Sequence, residues 1–263
     1  ATFYLAGHFL LNRWTFDLYY GDPNGYYLHV VSFFVNQDVG DYDKTITSLR
    51  DINPTSADPR EDKYGIRLTE KGRRYIKYTL GVPVMETPFF LMAHAYASWS
   101  HEYAANGWTR PYLLAVSLSV IVYVLVGFYL LMGVLERYFS KRATALVVLS
   151  IALATNLFFH AAYTTMAHGF LFFDYCLLIF LSDRFYQKPE WSKALLLGGV
   201  VGLITLTRIP EIVSAFIPFL WGVSNWKSFK GRVQFWMDHY RWLLLACLGF
   251  TAVFSIQIIY WYY

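Results

Sequence analysis

The sequence predicts an all-α, polytopic transmembrane helical protein, with about seven membrane segments in this fragment and a large first external loop bearing membrane-surface helices. Charged residues are only 15% of the chain and hydrophobic residues 56%, whereas charged residues make up about 25% of soluble domains. The chain has 9 Trp, 22 Tyr and 22 Phe, and Trp and Tyr are enriched at membrane interfaces. Residues 111–135 and 242–263 contain no Asp, Glu, Lys or Arg, and a membrane helix needs about 20 apolar residues.

Both ends of the chain suggest a fragment of a longer protein. The chain starts with Ala1, and its first apolar run, TFYLAGHFLL, is too short to cross a bilayer. We therefore interpret residues 1–12 as the end of a first transmembrane helix. A cleaved signal peptide is the rival interpretation, although no Ala-x-Ala site is visible. The last residues, IIYWYY, have no polar flank, so we expect truncation at both ends.

Basic residues in three short segments predict the orientation of the chain. These segments are ERYFSKR (136–142), DRFYQKPEWSK (183–193) and NWKSFKGRVQFWMDHYR (225–241). By the positive-inside rule all three face the cytoplasm. Residues between two such segments must cross the membrane twice, turning at HAAYTTMAH (160–168) and at TRIPEI (207–212), where Pro210 interrupts the helix. The predicted transmembrane bundle, 111–263, then contains segments 111–135, 143–160, 164–182, 194–207, 211–224 and 242–263.

The same orientation places residues 13–110 outside, as an external loop on the periplasmic side. Its middle, 38–74, is charged and is expected to be a solvated, partly mobile loop. Residues 25–36 place Tyr26, Val30, Phe33 and Phe34 near one helical face. Residues 75–99 are apolar but interrupted by Gly81, Pro83, Glu86 and Pro88. Both flanking segments are typical of helices that lie along a membrane surface.

Polar groups at membrane depth are costly, which makes them candidates for function. The orientation puts an acid, an arginine and histidines at one outer level, while Asp174 lies within a span. Arginine forms charge-assisted hydrogen bonds with phosphate, and a carboxylate can act as a general base towards a hydroxyl. The candidates are Asp17, Asp22, Glu86, His94, His101, His160, His168, Asp174, Arg208 and Glu211.

Simpler structural explanations exist for most of these residues. Asp22 precedes Pro-Asn-Gly and fits a turn, in which Asp bonds its own backbone. Arg208 and Glu211 are three residues apart and can pair with each other. His160 and His168 can cap a helix or bond locally, and His94 with His101 matches no metal-ligand spacing. Cys176 and Cys247 lie in apolar runs, so they carry no redox information.

The order of these features resembles the GT-C superfamily of membrane glycosyltransferases, which use polyprenyl-phosphate-linked sugars. GDPNGYYLH is similar to the acidic position at the start of their first external loop. KYTLGVPVMETPFFLMAH (77–94), TTMAHGFLFF (164–173), LTRIPEIV (206–213) and QIIYWYY resemble an uncharacterised bacterial subgroup. That subgroup is similar to the protein-mannosyltransferase and lipid A aminoarabinose-transferase enzymes. Related enzymes often have Asp-Glu at the acidic position, whereas here Pro23 follows Asp22.

The resemblance implies transfer of a sugar from a polyprenyl-phosphate-linked donor to an acceptor on the outer face of a bacterial inner membrane. It implies that Asp22 is the catalytic residue, either as the base or as the group that positions the acceptor. It also implies a substrate-binding set that comprises Arg208, His168, Asp17, Tyr26, His94 and Glu211. No metal ligands are assigned, and the need for a divalent metal stays open. The expected partners are the lipid-linked sugar donor, membrane lipids and further membrane subunits, with no nucleic acid.

Two other functions stay open at this point. A non-catalytic accessory subunit of a larger membrane complex would keep a GT-C-like fold without the reaction, and the missing second acid after Asp22 favours it. A transporter would use the short arms of 194–224 as broken helices around a substrate site. The transporter predicts a related second half, which is not seen in this sequence.

Overall fold

The computed structural model describes residues 1–52, 65–70 and 72–262 of the 263-residue chain. This part is mostly helical, which confirms the all-α fold class. Among the described residues, four short segments form 3₁₀ or π helices, at Arg13–Thr15, Asp17–Tyr19, Ser32–Asn36 and Ile209–Ala215. The α-helices of the described residues are α1 (Thr2–Leu11), α2 (Gly21–Val31), α3 (Asp43–Ile52), α4 (Gly81–Ser100), α5 (Arg110–Tyr138), α6 (Lys141–Ala154), α7 (Leu157–Ala162), α8 (Ala167–Gln187), α9 (Trp191–Thr207), α10 (Phe216–Phe219), α11 (Trp226–Asp238) and α12 (Tyr240–Tyr262).

One small hairpin interrupts the helices. Strands β1 (Ile66–Leu68) and β2 (Arg74–Ile76) are antiparallel, and Ile66 is paired with Ile76. The hairpin and α3 lie within 38–74, the segment expected to be a solvated loop, so that part of the chain carries more regular structure than we expected. Residues 53–64 and 71, on which the rest of that expectation falls, lie outside the described residues.

Two helices among the described residues are long and apolar enough to cross a membrane. They are α5, with a mean hydropathy of 2.5, and α12, with 2.1. Helices α1 and α9 and the segment Ile209–Phe219 are apolar but shorter, 10 to 17 residues. The sequence predicted about seven spans. Among the described residues, two helices, α5 and α12, qualify as spans by length and composition.

The chain divides into two compact units, Ala1–Val124 with Ala152–Phe170, and Leu125–Ile151 with Leu171–Tyr263. The core of the first unit is formed by α2, α4 and the start of α5. Tyr27 of α2 packs edge-on against Phe90 of α4 at a centroid distance of 5.9 Å, and against Trp108 at 5.3 Å. The Tyr27 hydroxyl also donates a hydrogen bond to the carbonyl of Gly107.

Two helices of the first unit differ from the surface helices that the sequence predicted. Every residue of α2 from Pro23 to Val31 is buried, so α2 is a core helix and does not present one face to a membrane. Phe33, expected on its apolar face, is exposed in the π turn that follows. Helix α4 runs without interruption from Gly81 to Ser100. It begins two residues before Pro83 and accommodates Pro88 in its interior, because the rest of the helix is held by packing.

The second unit is organised around the close packing of α9 on α12. Gly198 and Gly202 lie one helical turn apart on α9, and a Cβ atom at Gly198 would come within 1.7 Å of the Ala246 carbonyl oxygen of α12. A Cβ atom at Gly249 would meet the Leu195 carbonyl oxygen at 2.1 Å. The two backbones therefore touch directly, an arrangement that small residues four apart allow in membrane helices.

Two predicted spans are not single α-helices. Segment 143–160 is divided into α6 and α7, with a break at Thr155 and Asn156. Segment 211–224 is a 3₁₀ helix, Ile209–Ala215, followed by the single turn α10. The break before it agrees with the predicted turn, because α9 ends at Thr207 and Arg208 is extended. Pro210 and Pro218 remove backbone donors from this arm, which prevents a regular α-helix.

Candidate functional site

Asp22 lies in the first turn of α2. The sequence GDPNG was interpreted most simply as a turn, but it forms the start of a helix whose N-cap is Tyr20. Asp and Pro are both favourable in a first helical turn, since its N–H groups lack partners and attract negative charge. Asp22 is half-buried, so its carboxylate is accessible at the positive end of α2.

The Asp22 carboxylate contacts Tyr78, which lies 56 residues later in the sequence. The Tyr78 hydroxyl donates a hydrogen bond to Asp22 Oδ1. The Tyr78 ring lies directly against Gly25, where a Cβ atom would be 2.0 Å from a ring carbon. Gly25 is thus needed for this approach. Among the described residues, Tyr78 is the one hydrogen-bond partner of the Asp22 side chain.

Tyr26 and His29 also contact Tyr78. The Tyr26 and Tyr78 rings are 4.7 Å apart, so Tyr26, one of the predicted binding residues, does lie close to Asp22. His29 Nε2 donates to the Tyr78 carbonyl oxygen at 3.0 Å. Burial lowers the pKa of His29 to about 4, although this hydrogen bond acts in the opposite direction. His29 is therefore neutral at physiological pH and positions the backbone of Tyr78.

Asp17 is buried and fully engaged within the first unit. Its Oδ2 accepts hydrogen bonds from the Thr165 hydroxyl at 2.7 Å and the Thr165 backbone N–H at 2.8 Å. The Thr164 hydroxyl lies 3.2 Å from the same oxygen, and Arg13 Nε is 3.3 Å from Oδ1. These contacts fix the turn between α7 and α8. Asp17 therefore ties the start of the chain to this turn, and the substrate-binding role expected for it stays a prediction.

The hollow beside Asp17 is closed. It is lined by Asp17, His8, Ser117 and Thr165, among others, and has no room for a water molecule. His8 Nε2 lies 3.3 Å from the Ser117 hydroxyl oxygen, so the two polar side chains pair with each other. In this conformation no substrate group reaches Asp17 through the hollow.

Glu86 is an unusual carboxyl group in the core of the first unit. It lies in α4, is 0% exposed, and neither carboxylate oxygen has a hydrogen-bond partner among the described residues. Burial, followed by the nearby charge of Asp17, raises the pKa of Glu86 well above its usual value. A carboxyl in such surroundings keeps its proton near neutral pH, since an ionised one would be costly.

The predicted histidines have local partners. His94 Nδ1 is 2.7 Å from the Tyr112 hydroxyl, and its ring stacks on Phe90 at 5.9 Å. His168 is exposed, and its ring centroid is 4.3 Å from that of His160. His94 is thus part of the aromatic core beside α5, whereas His168 and His160 form a pair at the turn between α7 and α8.

Arg208 and Glu211 belong to the second unit. Arg208 Nη1 is 3.9 Å from Glu211 Oε1, the pairing that their spacing suggested. Glu211 Oε2 also accepts a hydrogen bond of 2.5 Å from the Tyr175 hydroxyl. The Arg208 side chain is 45% exposed. Because the ion pair is long and exposed, it holds the guanidinium weakly and leaves it accessible to another anion.

An apolar cavity lies close to this pair in the second unit. It has a volume of about 510 Å³ and is bounded by α9, the segment 209–219, α11 and α12. Ile212, Ala215 and Phe216 line one side, directly after the Arg208–Glu211 pair, and Trp236 and Phe250 line others. Its volume falls in the range of about 300–1,000 Å³ found for ligand pockets.

The structure brings together some of the predicted residues. Asp22 and Tyr26 share Tyr78 in the first unit, and Arg208 meets Glu211 in the second. His94 and His168 have separate partners. Among the described residues, no group of three or more His, Cys, Asp or Glu side chains is arranged to hold a metal ion.

Sequence reasoning missed the partners of the acidic residues. Tyr78, Thr165 and Tyr175 each hold a predicted carboxylate through contacts of 36 to 148 residues in sequence separation. Nothing in the local sequence marks them, since tyrosine and threonine are common throughout the chain.

Compared with protein-family models, curated proteins and solved structures, the chain matches none of them.

Proposed function

We propose that this chain is part of a glycosyltransferase that moves a sugar from a polyprenyl-phosphate-linked donor to an acceptor hydroxyl. The observation that carries the proposal is the combination, within the second unit, of an accessible Arg208 and the apolar cavity that begins at Ile212. A lipid phosphate needs a cation for its head and an apolar space for its chain. Arg208 provides the first, since guanidinium binds phosphate through paired hydrogen bonds. The cavity provides the second.

Asp22 acts as the general base in this proposal. Its carboxylate takes the proton from the acceptor hydroxyl as the acceptor oxygen attacks the anomeric carbon. The bond between that carbon and the phosphate oxygen breaks, and the configuration at the carbon inverts. The lipid phosphate leaves with the bonding electrons, and Arg208 stabilises its negative charge. Tyr78 and Gly25 support this role, because they hold the Asp22 carboxylate while leaving it half-exposed.

The proposed protein is a multi-pass component of the bacterial inner membrane, with residues 13–110 on the periplasmic side. Helices α5 and α12 support this placement. The basic residues that follow α5 and precede α12, such as Arg142 and Lys230, support the orientation by the positive-inside rule. The shorter apolar helices α1 and α9 complete the bundle in this proposal.

The first test measures turnover in proteoliposomes. Purified protein is mixed with the polyprenyl-phosphate-sugar extract of bacterial membranes, and released polyprenyl phosphate is quantified by mass spectrometry. Asp22→Asn should lower release by about 10²–10⁴-fold, the usual contribution of a general base. Asp41→Asn, a change of an exposed carboxylate in the same unit, is the matched control and should keep full activity. Near-normal release by Asp22→Asn would refute the assignment.

The second test measures binding alone. Arg208→Gln should weaken the binding of polyprenyl phosphate about tenfold or more, since charge-assisted hydrogen bonds are roughly twice as strong as neutral ones. Asp22→Asn should leave this binding unchanged. Equal affinity of the wild-type protein and Arg208→Gln would remove Arg208 from the donor site.

The closed hollow at Asp17 favours a second candidate, a non-catalytic subunit of a larger membrane complex. Asp17 accepts hydrogen bonds from Thr164, Thr165 and Arg13, and the adjacent hollow has no room for a water molecule. This candidate predicts no turnover by the wild-type protein with any extract fraction. It also predicts that other membrane proteins co-purify in fixed proportion.

A further inference from the structure

Helix α11 combines a basic surface with a firmly anchored inner face. It begins at a capping box, in which Asn225 accepts from the Ser228 backbone N–H and Ser228 reciprocates; such caps stabilise a helix by about 1 kcal/mol. On the inner face, Trp236 stacks on Phe185 at 5.9 Å and on Phe219 at 6.2 Å. The helix is therefore held in one orientation, which determines the residues that face outwards.

The outer face of α11 carries cations. Lys227 and Lys230 are exposed and lie on one side of the helix, three residues apart. Arg232 is excluded from this face, because its guanidinium lies 3.6 Å from the Tyr186 ring centroid and donates to the Trp221 carbonyl. Asp238 is the one acidic residue of α11. The exposed face is therefore positively charged.

Large apolar side chains flank these cations. Trp226 is 68% exposed and Met237 is 66% exposed. The Lys230 ammonium lies 5.6 Å from the Trp226 ring centroid, so the lysine stem extends along the indole. Exposed Trp and Met beside lysines are costly in water. They are favourable at the boundary between lipid headgroups and acyl chains.

Helix α12 directly follows α11 in the chain. It begins at Tyr240, two residues after α11 ends, and is a candidate span with 11% of its most apolar window buried. Its exposed Leu244, Leu248 and Ile259 need an apolar environment, which a bilayer supplies. If α12 enters the membrane, α11 lies at the point of entry.

We propose that α11 docks on anionic phospholipids of the leaflet that α12 enters. The ammonium groups of Lys227 and Lys230 bind lipid phosphates, and Trp226 and Met237 insert at the level of the upper acyl chains. Charge complementarity identifies the partner: each lysine near an anionic surface contributes a favourable interaction, whereas a zwitterionic surface has no net attraction for it. This inference is independent of glycosyl transfer and stands if that function fails.

The experiment titrates the full, detergent-solubilised chain with phosphatidylglycerol or phosphatidylcholine and counts bound lipids by native mass spectrometry. The wild-type protein should prefer phosphatidylglycerol, and Lys227→Gln with Lys230→Gln should lower that affinity about tenfold. Lys44→Gln with Lys77→Gln removes the same charge from exposed positions of the first unit and should have no effect. The pair Lys227→Arg and Lys230→Arg should retain the preference. Equal affinity of the glutamine variant and the wild type would overturn the proposal.

A second measurement reports how deeply α11 inserts into the lipid bilayer. A spin label at position 226, in a Cys176→Ser and Cys247→Ser background, is placed in vesicles containing phosphatidylglycerol. The label should collide more often with lipid-soluble oxygen than with a water-soluble nickel complex. The reverse ratio would show that α11 faces water or a soluble partner, and would also overturn the proposal.

Discussion

At the scale of single residues, Glu86 lies in a buried, apolar environment that strongly disfavours an ionised carboxylate. It is buried in α4 and has no hydrogen-bond partner for either oxygen among the described residues. Protonation removes most of this cost. The raised pKa of Glu86 therefore makes the stability of the first unit depend on pH.

Glu86→Gln should remove that dependence. The folded chain holds the Glu86 proton more tightly than the unfolded chain does. Its stabilising effect is thus complete below the unfolded pKa of about 4.3. It is lost as the pH rises from there towards the raised folded pKa, by about 1.4 kcal/mol per pH unit. We expect the melting temperature in detergent to fall between pH 5 and pH 8 for the wild type, and to fall less for Glu86→Gln.

Glu102→Gln is the control for this prediction, since Glu102 is exposed and should give the wild-type pH profile. If Glu86→Gln also follows the wild-type profile, another group carries the pH dependence. The carboxyl of Glu86 would then be ionised in the folded protein.

The candidate base illustrates what sequence can predict at this scale. Asp22 was selected by orientation and resemblance, and the structure gives it a half-exposed position. Its partner Tyr78 was not predicted, because the contact spans 56 residues and depends on the absence of a side chain at Gly25. Asp17 is a similar case. Its charge and position predict a substrate ligand, which stays a prediction, whereas its hydrogen bonds to Thr164 and Thr165, 147 and 148 residues away, were not predicted.

At the scale of elements, the contact between α9 and α12 depends on glycine. Gly198 and Gly202 are four residues apart, a spacing that predicts close helix packing in a membrane. The spacing was visible in LLLGGVVGLITLT, but its partner helix was not. The neighbouring Gly199 has room for a methyl group, because a Cβ atom there would lie 3.8 Å from the nearest atom, Val253 Cγ2, an ordinary van der Waals distance.

Gly198→Ala should destabilise the second unit. The new methyl group would overlap the Ala246 carbonyl oxygen, so α9 and α12 must separate, at a cost of about 1–3 kcal/mol as for other overpacked contacts. Gly199→Ala is a matched control with the same chemical change. It should be neutral or stabilising, since alanine favours helix by up to about 1 kcal/mol. Thermal unfolding in detergent measures both, and equal melting temperatures for the two variants would contradict the packing argument.

Helix boundaries were predicted well where covalent chemistry sets them and poorly where packing does. Pro210 ends α9 near Thr207 as expected, because proline lacks an N–H group. Pro88 does not end α4. The GDPNG stretch begins α2 although its composition favours a turn. Burial of α2 and α4 in the core outweighs these local preferences, which amount to about 1 kcal/mol for glycine and about 3 kcal/mol for a proline inside a helix.

At the scale of the whole molecule, the orientation of the chain is the property that the function most depends on. The proposed reaction requires residues 13–110 on the outer side, and this placement rests on the distribution of lysine and arginine.

Cysteine labelling tests this orientation. Single cysteines are placed at Lys44 and at Lys141, both exposed, in a Cys176→Ser and Cys247→Ser background. In spheroplasts, a membrane-impermeant maleimide should react at position 44 and leave position 141 unmodified, because the bilayer excludes the charged reagent from the cytoplasm. Detergent should make both positions reactive. Labelling of position 141 in intact spheroplasts, with position 44 protected, would reverse the topology and remove Asp22 from the outer face.

The sequence by itself determined the all-α class, the two long apolar helices and the end of α9. These properties follow from composition, hydropathy and proline, which act within about 20 neighbouring residues. Tertiary structure decided that α2 is a core helix and that Asp17 bonds to the distant turn between α7 and α8. It also decided that Glu86 is buried without a hydrogen-bond partner among the described residues. Finally, it decided that Gly198 has no room for a methyl group against α12, whereas Gly199 has room. Each of these depends on contacts between residues far apart in the chain, whose packing outweighs local preference and leaves no signal in the neighbouring sequence.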